Sequence, residues 1–333
     1  MMQTTLAAQS TASVESTESV EPATAFQPIP NTYRSIFRPA LFAGQVVIVT
    51  GGGSGIGRCT AHELTALGAT VALVGRKADK LDAVRAEIEA LGGVVSCHRC
   101  DIREEEAVVA TVQAVLTQHG RIDALLNNAG GQFPSALKDI SLKGWEAVVR
   151  TNLTGGFLMA RECLTQWMQQ HGGAVVNITA DNWGSMPGMG HSGAARAGMV
   201  SFTETAALEW AQFGVRVNAV APGYVASSGM DSYPPEMGPI LRGAMKGVPL
   251  QRMATEAEIS AAIVFLLSEA ASFITGTVLR VDGGRPQMRA GWAPGRAEKA
   301  AGGGAEVKPI IPAAVRAYEG FPLARMPKVL QGE

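Results

Sequence analysis

Thr50-Gly51-Gly52-Gly53-Ser54-Gly55-Ile56-Gly57 follows the β-branched run Val46 to Val49 and precedes an amphipathic stretch from Arg58 to Leu67. A strand that enters a helix through such glycines aims unpaired N–H groups and the positive end of the helix dipole at one point, which suits a phosphate. Gly51 permits the turn, Gly55 lets a pyrophosphate reach the backbone, and Gly57 lets helix and strand pack closely. The same glycines could also close a plain βα turn, so a second signal is needed. It comes at Val71-Ala72-Leu73-Val74-Gly75-Arg76-Lys77, about 20 residues on, where dinucleotide folds read the adenosine ribose. An NAD site presents a carboxylate there to the 2′-hydroxyl, but Gly75 offers none. Arg76 and Lys77 suit a 2′-phosphate, with the guanidinium able to pair bidentately. The chemistry expected is that of NADP(H).

The elements that must hold these residues alternate along the chain. After Lys77 come helix 79–91, strand 93–97 with Asp101 beyond its end, helix 104–119, and strand 123–127 running into Asn127-Asn128-Ala129-Gly130. A long amphipathic helix over 143–170, strand 174–179, helix 193–213, strand 215–219, helix 256–268 and strand 278–281 complete the series. Such alternation predicts an α/β, doubly wound Rossmann domain with a parallel sheet and right-handed crossovers. No repeat or linker divides it, so one domain is expected over 40–287. Residues 1–33 are polar, biased in composition, and expected to be a disordered extension. Residues 288–333 read as a tail carrying Gly302-Gly303-Gly304 and several prolines.

The 333 residues carry 28 basic and 29 acidic side chains, a net charge of −1. That balance gives no reason to expect nucleic acid or an anionic membrane as partner. No apolar run approaches the ~20 residues that span a bilayer. Residues 1–33 lack the basic start, apolar core and arginines of targeting peptides, and Leu330-Gln331-Gly332-Glu333 is no peroxisomal tripeptide, so the cytosol is expected. Cys59, Cys97, Cys100 and Cys163 make no disulfide framework. Cys97-His98-Arg99-Cys100 has no second Cys/His pair to complete four ligands, and no metal is expected.

Thr50-Gly51-x-x-x-Gly55-x-Gly57, Asp101-Ile102, Asn127 to Gly130, Asn152, Pro222-Gly223 and Val281-Asp282-Gly283-Gly284 together resemble the short-chain dehydrogenases/reductases, from Phe42 to about Gly284. That resemblance implies a seven-stranded parallel sheet, an NAD(P) hydride carrier and a homotetramer packed through two long helices. It implies that Asp101 and Ile102 face the adenine. Asn128, Ala129 and Gly130 would line the cofactor beside Thr50, Gly53, Ser54 and Ile56, with Pro222, Gly223 and Ser227 near the nicotinamide. The family's usual catalytic set is Ser, Tyr and Lys, the last two as Tyr-x-x-x-Lys, with an Asn from the long helix. Asn152 is present, and Thr179 takes the serine position. Ser192 stands where tyrosine is usual and Arg196 where lysine is usual.

The change alters the proton chemistry. Carbonyl reduction makes an alkoxide that needs a proton as the hydride arrives, and a tyrosine beside an ammonium delivers it. A serine hydroxyl is far less acidic, and an arginine stays charged and relays no proton. Reduction of a conjugated thioester sends the hydride to the β-carbon and the charge to the thioester oxygen, which needs hydrogen-bond donors. Ser192, Thr179 and Asn152 could supply them, while Arg196 could hold the nicotinamide ribose. The segment His191 to Gly198, with Ala207-Leu208-Glu209-Trp210 and Ala271 to Gly276, resembles peroxisomal trans-2-enoyl-CoA reductases. The 2,4-dienoyl-CoA reductases share the serine but keep the lysine, and their compensating tyrosine would fall at Asp181.

An NADPH-dependent enoyl-thioester reductase acting on a small substrate of acyl-CoA type is therefore expected. Family members acting on citronellol and related terpenes share much of the pattern, so an alcohol or aldehyde dehydrogenase stays open, as does a low-turnover cofactor-binding protein. Asp181 and Trp183, in the loop after the fifth strand, and Tyr224, after Pro222-Gly223, are candidate substrate contacts. His191 is read either as a proton donor or as packing at the helix start. Met230, Met237 and Met245 suit either an adaptable lid over an acyl chain or core filling.

Overall fold

Val46–Thr50 forms β1, and its alternate side chains enter two different cores. Val47 and Val49 pack on one face of the sheet with Ala61 and Leu64, Leu81 and Val84, and Ile259 and Ile263. Val46 and Ile48 pack on the other with Val108 and Val112, Met159 and Cys163, and Ala206 and Trp210. All four valine and isoleucine side chains are buried. A strand apolar at every position must be covered on both faces, which explains the unbroken run. The computed structural model describes residues 37–288. The expectations for residues 1–33 and for the tail beyond Met288 lie outside the described residues.

The elements follow in chain order. After β1 come α1 (Gly55–Ala66), β2 (Thr70–Gly75), α2 (Ala78–Ala90), β3 (Val94–Arg99), α3 (Glu105–His119) and β4 (Ala124–Asn127). Then follow α4 (Leu142–Val149), α5 (Gly155–Cys163), α6 (Gln169–His171), β5 (Gly173–Ile178), α7 (Gly190–Trp210), β6 (Val215–Pro222), α8 (Met237–Met245), α9 (Glu256–Leu267) and β7 (Val278–Val281). The seven strands are parallel in the order β3-β2-β1-β4-β5-β6-β7. The order reverses between β1 and β4, the crevice where α/β sheets take ligands.

Two local features position the site. The single helix expected over 143–170 is α4, α5 and α6 joined by π-helical turns at Arg150–Thr154 and Leu164–Met168. A π turn inserts a residue into the ladder and re-aims a side chain, and Asn152 lies in the first of them. Helix α9 is held at both ends. Thr255 and Glu258 form a reciprocal capping box at its start. Arg216 donates to the carbonyls of Leu266, Leu267 and Ser268 at its finish. No described helix is long and apolar enough to cross a membrane.

Candidate active site

The C-terminal ends of β1, β4, β5 and β6 open into a cleft of ≈ 440 Å³. Gly51, Ser54, Gly55 and Ile56 form one wall, Asn128, Ala129 and Gly130 the next, and Thr179 and Arg196 the floor. Pro222, Gly223 and Ser227 close the far side. These expected residues are brought together by the fold. Thr50 takes a different part: its buried hydroxyl donates to the Leu126 carbonyl and accepts the N–H groups of Asn128 and Ala129, all near 3.0 Å. It fastens the glycine loop to the β4 loop from beneath and does not line the cleft.

The glycine wall fits a dinucleotide. Ser54, the residue before α1, makes no side-chain cap, and the first turn holds no acidic residue, so its N–H groups are available to an anion. A Cβ on Gly55 would meet nothing nearer than Glu256 Oε1 at 3.7 Å, which leaves open space for a ligand to approach. Gly57 lies under the loop, where a Cβ would come within 2.5 Å of both Asn128 Nδ2 and the Gly51 carbonyl oxygen. Gly53 lies against Lys80 on the outer side of the loop.

Arg76 and Lys77 are exposed just past β2 and have no ion-pair partner among the described residues. Arg99, also exposed, stands opposite Gly75 in the β2–β3 register and adds a third cation. Strand pairing, not chain distance, brings it there. Asp101 and Ile102 are not part of the cleft. Arg103 donates two side-chain hydrogen bonds to the Asp101 carboxylate and holds its pKa down, from 3.8 to about 2. Ile102 is buried in the core, so close to the helix that a Cβ on Gly155 would sit 2.6 Å from its Cδ1.

The four expected catalytic residues separate into different tasks. Asn152 is buried, and both ends of its amide hold Gly131: Oδ1 accepts from the Gly131 N–H at 2.9 Å and Nδ2 donates to the Gly131 carbonyl at 3.0 Å. It clamps the loop after β4, one Nδ2 hydrogen being spent on that loop. Thr179 donates its hydroxyl to the Val220 carbonyl at 3.2 Å. Ser192 is buried and donates to Gln132 Oε1 at 2.7 Å. Arg196 donates to the Ile178 carbonyl. Its Nη2 would lie 2.5 Å from a Cβ on Gly130, so only glycine admits the guanidinium there. No carboxylate among the described residues pairs with it, and burial pushes its pKa down to about 10, leaving it charged at neutral pH.

The expected substrate contacts do not join this group. Asp181 is paired with Arg285 at 2.6 Å, and Arg285 also lies over the Tyr224 ring at 5.1 Å. Trp183 is half exposed beneath Arg280. These cations take the carboxylate and ring faces, and none of the three residues lines the cleft. His191 is fully buried edge-on against Phe133, 4.4 Å between ring centroids, and neither ring nitrogen has a hydrogen-bond partner among the described residues. An imidazole with no hydrogen bond to relay through fits the packing reading.

Two residues in the cleft carried no sequence signal. Gln132 follows the loop that Asn152 clamps, and its Nε2 donates to the Tyr233 hydroxyl at 2.9 Å. Tyr233 lies just past a 3₁₀ turn, Ser228–Ser232, whose neighbourhood is the methionine-rich cluster of Met230, Leu241 and Met253 with Met237 and Met245. The methionines thus pack together above the cleft. Cys97 and Cys100 are free thiols, and no group of three metal-ligating side chains occurs among the described residues.

Residues 51–285 match the family model for Enoyl-(Acyl carrier protein) reductase. The chain is a short-chain dehydrogenase/reductase. It is 35% identical to a peroxisomal 2,4-dienoyl-CoA reductase of Danio rerio, over 76% of this chain and 85% of that one. It is 38% identical to a 3-oxoacyl-(acyl-carrier-protein) reductase of Synechocystis, over 72% of this chain and 96% of that one. A solved structure of a citronellol catabolism dehydrogenase from Pseudomonas aeruginosa is 59% identical, covers 76% of this chain and 99% of its own, and superposes with a TM-score of 0.69. The family uses an NAD(P) cofactor, and the parallel sheet expected from the alternation of elements is the one observed.

Proposed function

We propose that the chain is an NADPH-dependent reductase of the C=C bond of an enoyl thioester, acyl-CoA being the carrier. The observation that carries this reading is the replacement of the tyrosine–lysine pair by a buried serine hydrogen-bonded to Gln132 and by a fixed cation at Arg196 that no carboxylate among the described residues pairs. An alkoxide must receive its proton as it forms, and neither residue is suited to give one. An enolate needs positive potential and donors, while its carbon can take a proton from water afterwards. Arg196 supplies that potential at the floor of the cleft.

When bound, NADPH supplies a hydride and takes the oxidised charge. The residues of this chain do the rest by position. The α1 N-terminus and Gly55 would receive the pyrophosphate, Arg76 and Lys77 the 2′-phosphate, and Arg196 the nicotinamide ribose. Asn152 clamps Gly131, a residue of the cleft wall, and so would keep that wall fixed beside the cofactor. The likeness to 2,4-dienoyl-CoA reductases supports the thioester substrate. The same proposal includes a homotetramer in the cytosol, consistent with apolar Phe157 and Leu208 exposed on α5 and α7.

The 59% identity to the citronellol catabolism dehydrogenase favours a second reading, an NADP-dependent dehydrogenase of an apolar terpenoid alcohol or aldehyde. Following NADPH oxidation with crotonyl-, octenoyl- and decadienoyl-CoA beside citronellal separates the two. Turnover of the thioesters well above citronellal supports the first; the reverse order overturns it.

A further inference from the structure

We propose that Tyr233 is the hydrogen-bond donor to the substrate oxygen that becomes negative, standing in for the tyrosine missing from position 192. The inference rests on the enoyl-reductase reading and names the group that completes it. Of the described tyrosines, Tyr224 and Tyr233, only Tyr233 lines the cleft.

The polarity of one amide decides which proton is free. Ser192 donates its hydroxyl hydrogen to Gln132 Oε1, and Gln132 Nε2 donates to the Tyr233 oxygen. An amide oxygen only accepts and an amide nitrogen only donates. The serine proton is therefore engaged inside the protein, while the phenol receives a hydrogen bond and keeps its own proton. No protein acceptor for that proton is found among the described residues, and Tyr233 lines the cleft. A phenol oxygen that already accepts a hydrogen bond is held in place with its own proton free to donate, the pre-organisation an oxyanion needs.

Each part of the device is anchored. Asn152 fixes Gly131, which fixes the next residue, Gln132. Ser192, buried on α7, tethers the Gln132 side chain through Oε1. Tyr233 hangs from the segment after β6, where its N–H donates to the Met230 carbonyl and its ring packs with the methionine cluster. The donor thus comes from the segment after β6 and not from α7, the helix that carries the family's usual acid.

The step balances simply. A hydride arriving at the β-carbon drives the π pair onto the thioester oxygen, and the Tyr233 hydroxyl donates a hydrogen bond to that oxygen. Collapse of the enolate re-forms the C=O bond, and the α-carbon takes one proton from water. The net change is one hydride and one proton added across C=C, with NADPH oxidised to NADP.

Tyr233→Phe removes one hydroxyl and keeps the ring. Loss of an oxyanion donor of this kind lowers kcat by about 100- to 1000-fold, so that fall is expected in the full-length enzyme with crotonyl-CoA. NADPH affinity, read by fluorescence titration, should stay within about twofold of wild type. Gln132→Glu supplies a second readout, because a carboxylate accepts from both neighbours and draws the phenol proton away from the substrate. It should lower kcat in the same direction and leave the melting temperature near wild type. Full activity of Tyr233→Phe on the substrate that wild type reduces fastest overturns the proposal while leaving the enoyl-reductase reading intact. Wild type that reduces only citronellal overturns that reading, and the same loss in Tyr233→Phe on citronellal still supports the donor. Turnover of neither substrate overturns both.

Discussion

Arg76→Ala should remove most of the preference for NADPH over NADH. The guanidinium stands just past β2, where Gly75 offers no carboxylate to a ribose hydroxyl, and it has no ion-pair partner of its own among the described residues. A hydrogen bond to a charged group contributes about 1.5–3 kcal/mol. Arg76 is exposed, so solvent screening places its share at the lower end, about 1.5 kcal/mol, or roughly tenfold in affinity. Lys77, a point charge without the bidentate fork, should contribute less, and Arg99 opposite Gly75 should soften the loss in either single variant. The assay is fluorescence titration of both cofactors against wild type, Arg76→Ala and Arg76→Ala/Lys77→Ala. Wild type should bind NADPH at least about tenfold more tightly, and salt should erode the difference as the screening length falls from ~30 Å at 0.01 M to ~3 Å at 1 M. Equal wild-type affinities, or an Arg76→Ala loss as large for NADH as for NADPH, would refute the reasoning.

Ser192→Ala leaves Gln132 Oε1 without its donor, a net loss of about 1 kcal/mol; turnover should fall about fivefold, far less than for Tyr233→Phe, and steady-state kinetics on one substrate compares them. Asn152→Ala strips both partners from Gly131, and at about 1–3 kcal/mol for each buried unsatisfied group it should lower the melting temperature and weaken NADPH binding together. Gly57→Ala forces a methyl against Asn128 and the Gly51 carbonyl, so cofactor affinity should collapse in the same titration. Asp101 has its folded pKa lowered to about 2 by Arg103, so its stabilisation is complete above the ordinary 3.8 and is lost as pH falls toward 2. Arg103→Ala should reduce stability at pH 7 and flatten its decline below pH 4, measured by denaturant melts across that range.

The sheet was readable because its signals are local. The runs Val46 to Val49 and Val71 to Val74 can only be strands buried on both faces, and their glycine turns mark where the ligand crevice opens. The cofactor wall was legible for the same reason, since its glycines act where they stand. Backbone events inside a continuous amphipathic stretch were not legible. The pattern over 143–170 reads as one helix, and nothing in its periodicity reveals the π turn that aims Asn152 at Gly131. Side-chain alliances were hidden as well. Ser192 reads as a free hydroxyl until its tie to Gln132, 60 positions away, is seen. Asp181 and Tyr224 read as open contacts until Arg285 takes both. Tyr233 sits in a stretch without alternation or motif, just before helix α8.

The position of the transferred hydrogen tests the account's central claim most directly. NADPH deuterated at C4 of its nicotinamide is turned over with a mixture of crotonyl-CoA and citronellal, and the products are read by NMR. The account predicts deuterium on the β-carbon of butyryl-CoA, with the citronellal aldehyde carbon unlabelled. Deuterium at C1 of citronellol, with crotonyl-CoA recovered unchanged, would contradict it.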